Sequence, residues 1–358
     1  MLRIALDGSP LRDGRRDAGI GRYVTELSRA LSERNDVDAR LAVPPLNAPE
    51  SWVRRYAFAQ PWILAEAVRR RARIVHGLAS DPVLGWPLGR QVVTVHDVAP
   101  WTTHAPPVAT PTWRYLQMQR MRLRRCAAVV AVSPSTATDV EDVLGVSKSR
   151  IEVVPEGVGA PFGPDPKPDD ERRRRDARAP ERYVLWVGNM RAHDARKGLD
   201  DVIDSVSALD LDAPTIVLAG RAGVEAERIA RSAEERGVNV VITGFVEDAT
   251  LAALYRGAAV VAIPSRHEGF GLPLLESMAC GAPVVASRAG NHAWLAGDDA
   301  TLIEPGDVRE LVSAMRAALT DPSLRVRARS AGPKRAAPFT WHRAAQLTAD
   351  IYHAVAAV

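Results

Sequence analysis

The chain has 358 residues, 46% apolar and 25% charged, with a formal net charge of +4. At roughly 150 residues per domain this predicts two domains, each able to bury its own core, and the composition excludes a disordered, collagen-like or low-complexity chain. Two cysteines, Cys126 and Cys280, are too few for a disulfide framework or a zinc site, and so small a charge excess does not argue for a nucleic-acid partner.

Positive charge rests on 43 arginines against four lysines, Lys148, Lys167, Lys197 and Lys334. So wide a skew reads as a codon preference, and the net excess suits anionic small molecules or an anionic membrane surface. No run approaches the roughly 18 uncharged apolar residues of a membrane-crossing helix. Asp7 interrupts the N-terminal apolar run before a signal-peptide segment can form, so a cytoplasmic setting is expected.

Short apolar runs separated by helix-length segments follow in order. The first is Arg3–Gly8, then a helical pattern from about Gly21 to Glu33, then runs at Ala39–Val43, Ile74–Leu78, Val92–His96, Ala127–Ser133 and Ile151–Pro155. Each is nearly continuous in Val, Ile, Leu and Ala, as parallel strands buried on both faces are. Proline and charge crowd Pro161–Arg182, which reads as an interdomain linker with one short charged helix, or as a long surface loop. Strands are next predicted at Tyr183–Val187, Thr215–Ala219, Val238–Thr243, Val260–Pro264 and Pro283–Ser287. Helices are predicted at Leu199–Ala208, Glu225–Arg236, Ala249–Arg256, Pro273–Cys280 and Val308–Leu319, with a final amphipathic helix over Trp341–Val358. The alternation predicts two α/β domains, over 1–165 and 183–339, joined by a linker at 166–182.

The most informative stretch, Val260–Ser287, reads VVAIPSRHEGFGLPLLESMACGAPVVAS. A strand ends at Pro264, a loop holds Glu268, Gly269 and Gly271, Pro273 takes a first-turn position, and a helix runs to Cys280. Glycine-spaced amides leading into a helix at the carboxyl end of a parallel strand make an anion site. Glu268 and Glu276 bracket the turn. Carboxylates repel phosphate but accept hydrogen bonds from hydroxyls, so the pair suits a diphosphate flanked by two polyhydroxyl rings, which is a nucleotide sugar. Acids placed to suit the helix dipole would be the other explanation, but it leaves the paired glycines and Phe270 unaccounted for.

The string E-G-F-G-L-P-L-L-E, followed by S-M-A-C-G-A-P-V-V-A-S, resembles the E-x7-E signature of retaining glycosyltransferase family 4. Segments 6–31 (LDGSPLRDGRRDAGIGRYVTELSRAL), 92–101 (VVTVHDVAPW), 129–158 and 184–206 (VLWVGNMRAHDARKGLDDVIDSV) resemble the family in the expected order. LVSAMRAALTDP and FTWHRAAQLTADIY resemble its C-terminal end, so the resemblance covers nearly the whole chain. It implies the GT-B fold: two Rossmann-like domains facing a cleft, with the last helix, 340–358, crossing back to the N-terminal domain.

The same resemblance implies a metal-independent enzyme that needs no cofactor. It would move a sugar, with retention, from a nucleoside-diphosphate sugar to a glycan, lipid-linked or small-molecule acceptor. His96, Glu268 and Lys197 would be catalytic. Arg196, Gly188, Phe245, Gly269, Phe270, Gly271, Leu272 and Glu276 would bind the donor, Glu276 at its ribose and Glu268 at its sugar, while Lys197 with Arg196 would hold the diphosphate. Gly19 and Gly21 would form an acceptor or diphosphate loop. First-half features resemble mannosyl- and rhamnosyl-transferring relatives. In many relatives a basic N-terminal face meets anionic lipid; here Arg69, Arg70, Arg71, Arg73, Arg120, Arg122, Arg124 and Arg125, with Trp52, Trp62, Trp101 and Trp113, would supply it unless they form a solvated charged face.

Three features depart from or lie outside that pattern. Asn189 stands where many relatives carry arginine, and Trp294 replaces the acid of their G-G-x-P-E. The D-x-D triplets Asp36-Val37-Asp38 and Asp210-Leu211-Asp212 follow helices and precede strands, the wrong end of an α/β unit for a ligand, so they read as solvated loops. Other readings stay open: a pseudo-glycosyltransferase, a nucleotide-sugar epimerase, or a non-catalytic nucleotide-binding subunit. A dinucleotide oxidoreductase is disfavoured, because Val24 occupies the third glycine position after Gly19 and Gly21.

Overall fold

A computed structural model describes residues 1–45, 59–102, 107–108, 110–191, 194–209 and 214–358. The chain divides into two units, one made of Met1–Gly157 and Thr340–Val358, the other of Val158–Phe339. Each is built on a six-stranded, wholly parallel sheet.

In the first unit the strands are β1 (Leu2–Asp7), β2 (Val37–Ala42), β3 (Ile74–Gly77), β4 (Gln91–Val95), β5 (Ala128–Ala131) and β6 (Ile151–Val153), in the order β2-β1-β3-β4-β5-β6. The interior strands β3, β4 and β5 are buried at every residue, which is why they read as unbroken apolar runs. Between strands run α1 (Gly19–Ser32), α2 (Gln60–Arg69), α3 (Pro111–Leu123) and α4 (Pro134–Asp139). Tyr23, Val24, Leu27, Ala30 and Leu31 recur at helical spacing and form the buried face of α1.

The second unit opens with α5 (Asp170–Asp176) and continues through β7 (Tyr183–Val187), α6 (Leu199–Ser207), β8 (Thr215–Ala219), α7 (Glu225–Glu235), β9 (Val240–Gly244) and α8 (Asp248–Gly257). Then come β10 (Val260–Ile263), α9 (Leu272–Ala279), β11 (Val284–Ser287), α10 (His292–Ala296), β12 (Thr301–Ile303), α11 (Val308–Thr320) and α12 (Pro322–Ala336). The order is β12-β11-β10-β7-β8-β9. The chain winds outward from β7 to β9, returns to the other side of β7 and winds outward again, so its direction reverses between β7 and β10. Val184, Trp186, Ile216, Leu218, Val260 and Val285 of the sheet pack with Val202, Ile203 and Val206 of α6 and Leu311 and Met315 of α11 to form the core.

Residues 158–182, expected as the end of the first domain and a linker, lie in the second unit. The reason is an ion pair: Asp170 of α5 accepts from Arg256 of α8 at 2.7 Å, with both side chains buried. Neither β12 nor α12 was expected.

The last helix, α13 (Trp341–Ala357), belongs to the first unit and packs on α1. Thr340 caps it, its hydroxyl accepting from the Arg343 amide at 3.1 Å. The Tyr352 hydroxyl meets His76 Nδ1 of β3 at 2.6 Å, and His76 Nε2 meets the Thr94 hydroxyl of β4 at 2.8 Å. Of the apolar face expected for this helix, Ala344, Ala345, Ile351 and Tyr352 are buried, while Leu347 and Val355 are half-buried and Thr348 and Ala349 complete the buried stripe.

Candidate functional site

The reversal point between β7 and β10 is where an open parallel sheet leaves a crevice beyond its strand ends. Two loops meet there. The loop after β7 ends in a single 3-10 turn, Ala195–Lys197, closed by Gly198 at φ +63°. A Cβ on Gly198 would lie 2.5 Å from the Pro264 carbonyl oxygen, so only glycine lets this loop lie against the end of β10. The Arg266 amide donates to the Arg196 carbonyl at 2.6 Å and stitches the loops together. The Lys197 ammonium consequently sits on the Glu268 carboxylate at 2.7 and 3.0 Å. This brings together Lys197, Arg196, Glu268, Gly269, Phe270, Gly271 and Leu272. Burial would push the Glu268 carboxyl up, but Lys197, His292 and Arg196 outweigh it and hold the group below its ordinary value.

Gly271 N-caps α9 with Pro273 in its first turn, and no side chain caps the leading amides of this helix. Arg196 is engaged by Asp194 at 3.0 Å. Glu276, one turn into α9, is buried and accepts from the Tyr255 hydroxyl at 3.1 Å. Phe270 is buried and packs edge-on against Phe339. Gly188 follows β7, its amide donating to the Ala219 carbonyl at 3.0 Å. Phe245 stands apart at the end of the edge strand β9, 58% exposed. Trp294 on α10 packs against Phe339 with centroids 5.3 Å apart, so the position of the family acid is apolar here. Gly290 at φ +54° brings this segment to the Glu268 loop: a Cβ there would be 2.1 Å from the Glu268 carbonyl oxygen.

In the first unit His96 follows β4. Its Nε2 lies 2.9 Å from the Leu78 carbonyl and its Nδ1 3.0 Å from Glu156 Oε1. The Tyr23 ring, in the first two turns of α1 after Gly19 and Gly21, stands edge-on to His96 at 4.7 Å. Sequence reasoning missed Glu156; its signal was an acid between Pro155 and Gly157, just past a strand end. It also missed Arg15, which pairs with Asp13 at 2.7 Å and lies 3.5 Å from Asp81, and His292, discussed below.

The arginine clusters are largely spent within the fold. Arg69 and Arg70 both bond Glu66; Arg120 and Arg124 donate to the Leu144 carbonyl, Arg122 to Val83 and Arg73 to Ala356. Trp62 is 41% exposed; Trp52 and the triplet at 210–212 lie outside the described residues. Asp36 pairs with Arg34 and His353, and Asp38 with Arg40. Among the described residues no group of three or more His, Cys, Asp or Glu is placed to hold a metal ion, and no helix is long and apolar enough to cross a membrane.

Known proteins share this sequence pattern. Residues 18–160 match the model of Glycosyltransferase Family 4 and residues 181–321 that of Glycosyl transferases group 1. The chain is 29% identical over 271 residues to the serotype-specific mannosyltransferase WbdA of Escherichia coli, covering 73% of this chain but 33% of that protein. It thus spans about a third of the length of the WbdA relatives it matches. With the MMP alpha-(1→4)-mannosyltransferase of Mycolicibacterium hassiacum it shares 30% identity over 296 residues, 77% of this chain and 67% of that one. The sucrose-phosphate synthase of Thermosynechococcus elongatus, at 22% identity, superposes over all of both chains with a TM-score of 0.80. Likenesses of this kind give the fold as GT-B.

Proposed function

This chain belongs to glycosyltransferase family 4, and from that premise we propose that it moves a hexose, mannose or rhamnose by preference, from a nucleoside-diphosphate donor to a glycan, lipid-linked or small-molecule acceptor with retention and without metal. The observation that carries the reading is the Lys197–Glu268 pair beside the uncapped start of α9, at the reversal point of the second sheet.

The second unit takes the donor. Lys197, Arg196 and the leading amides of α9 hold the diphosphate, Glu268 accepts from hydroxyls of the transferred sugar, Glu276 from those of the ribose, and Phe245 lies beside the base. The first unit takes the acceptor side, with His96 and the Gly19–Gly21 turn as its residues. As the bond from the sugar's anomeric carbon to phosphate oxygen breaks, the acceptor oxygen bonds that carbon and its proton passes to the leaving phosphate. Lys197 and the helix amides meet the charge that develops there, where fixed dipoles and cations lower a barrier most.

A thermal-shift panel of UDP, GDP, dTDP and ADP and their sugars tests this. A nucleotide at 100 times its Kd stabilises by about 2.7 kcal/mol, so at least one should raise the melting temperature in the native chain and not in Lys197→Met. If none does, the donor site is wrongly assigned.

A further inference from the structure

Lys197, Glu268 and His292 share the head of α9. The His292 ring is wholly buried. Its Nδ1–H donates to the Ser287 carbonyl at 3.0 Å, which leaves the lone pair on Nε2, and Nε2 has no hydrogen-bond partner. That nitrogen lies against Gly271, the N-cap of α9, where a Cβ would come within 3.1 Å of it. A buried polar atom without a partner calls for an explanation.

Charge bookkeeping supplies one. The charged groups bearing on His292 are Glu268 from the β10–α9 loop and Lys197 from the β7–α6 loop; β11 offers only the Ser287 carbonyl, and α9 only the backbone of Gly271. Without ligand, Lys197 in contact and, more weakly, Arg196 offset the Glu268 charge. Burial first, and Lys197 as well, push the imidazole below its ordinary range, against the opposing pull of Glu268. A diphosphate adds at least two negative charges to this balance. Lys197 cannot serve both anions: as it turns to phosphate it uncovers the Glu268 carboxylate and withdraws the cation that disfavours a charged His292.

We propose that His292 takes one proton from solvent onto Nε2 when a diphosphate occupies the site, and becomes a further cation of the donor-bound state, balancing Glu268. This rests on the donor reading above and deepens it, since it makes proton uptake part of donor recognition. Because binding raises the affinity of His292 for its proton, donor affinity rises as pH falls through the range where the complex holds that proton and the free protein does not.

Two measurements decide it. Titration calorimetry with UDP and with GDP at about pH 6.5, repeated in buffers of different ionisation heat, counts protons taken up; the wild-type chain should take up about half a proton or more beyond His292→Gln and His292→Asn. Those variants subtract the protons of the nucleotide's own terminal phosphate. The other measurement needs no nucleotide and leaves His292 in place: in Lys197→Met, ring nitrogen NMR should show His292 titrating at higher pH than in the wild type. Equal proton uptake in wild type and variants, or an unmoved titration in Lys197→Met, overturns the proposal. If neither UDP nor GDP binds, the same titration is run with dTDP and ADP; if none of the four binds, the donor reading falls and this proposal falls with it.

Discussion

His96 in the first unit and Lys197 in the second each stand in a loop beyond the carboxyl end of a parallel strand, and each meets a glutamate, Glu156 and Glu268. The surroundings differ. Both ring nitrogens of His96 are engaged, Arg15 bridges Asp13 and Asp81, and Asp81 also accepts from the Tyr115 hydroxyl at 2.5 Å. In the second unit the Glu268 loop and the segment after β11 leave His267 Nε2, Asn291 Oδ1 and His292 Nε2 buried without partners. Among the described residues of the first unit the buried polar atoms without partners, Trp86 Nε1 and Arg122 Nε, lie before β4 and in α3, away from the strand ends. Unsatisfied buried groups cost about 1–3 kcal/mol each, so a strand edge that keeps several is shaped for something outside the protein. Among the described residues the first edge is self-satisfied, and the second is charged and incomplete.

The comparison breaks most severely if α13 is removed. Deleting residues 338–358 strips Tyr352 from His76 and Trp341 from Tyr23, uncovering the face on which the first unit's order depends. The expected product is aggregated or inactive by size-exclusion chromatography and turnover; a soluble, fully active truncation would make the helix dispensable.

Next come the charges of the second edge. Glu268→Gln and Lys197→Met should each lower turnover by about 100-fold or more, the scale of one lost preorganised polar contact, with the fold intact by circular dichroism. Glu276→Ala should instead weaken nucleotide binding, read by calorimetry. Normal kinetics in all three would remove the distinction between the edges.

A smaller effect probes the satisfied network of the first unit. Tyr352→Phe leaves His76 Nδ1 without its partner and should cost about 1–3 kcal/mol in urea unfolding. Burial holds the His76 imidazole down to about 3. In the unfolded chain it titrates near about 6.5, so between those values the unfolded state binds the extra proton. Stability from this residue is therefore present above that range and is lost as pH falls through it, by up to about 1.4 kcal/mol per pH unit. Urea midpoints between pH 7 and pH 4 should fall more steeply for the wild type than for His76→Gln.

The smallest expected effect is none. With Lys197, Arg196 and the amides of α9 proposed to hold the diphosphate, turnover should survive EDTA. Loss restored by Mg²⁺ or Mn²⁺ would show that a divalent cation completes the diphosphate site.

Much of this was legible because it is local. Tyr183–Val187 and Thr215–Ala219 form strands over the residues their apolar runs predict, since a strand buried on both faces has no polar position to blur its ends. The loop and helix start of the E-x7-E segment were legible because glycine spacing and a first-turn proline act within a few residues. Other features were decided by partners far along the chain. Helix α12 forms across Gly332 and Pro333, a pair that reads as a stop, because Gly332 lets it close on α9: a Cβ there would be 2.7 Å from the Met278 carbonyl oxygen. The charged stretch expected as a linker is held by Asp170 on Arg256, 86 residues away. Lys197 and Glu268 are 71 residues apart, and His96 and Glu156 are 60. The sequence by itself determined which segments could be strands and which loop carries the paired glycines and acids. Only the tertiary structure decided which charges face one another there, because periodicity and turn chemistry act over a few residues whereas an ion pair depends on which loops the sheet order brings together.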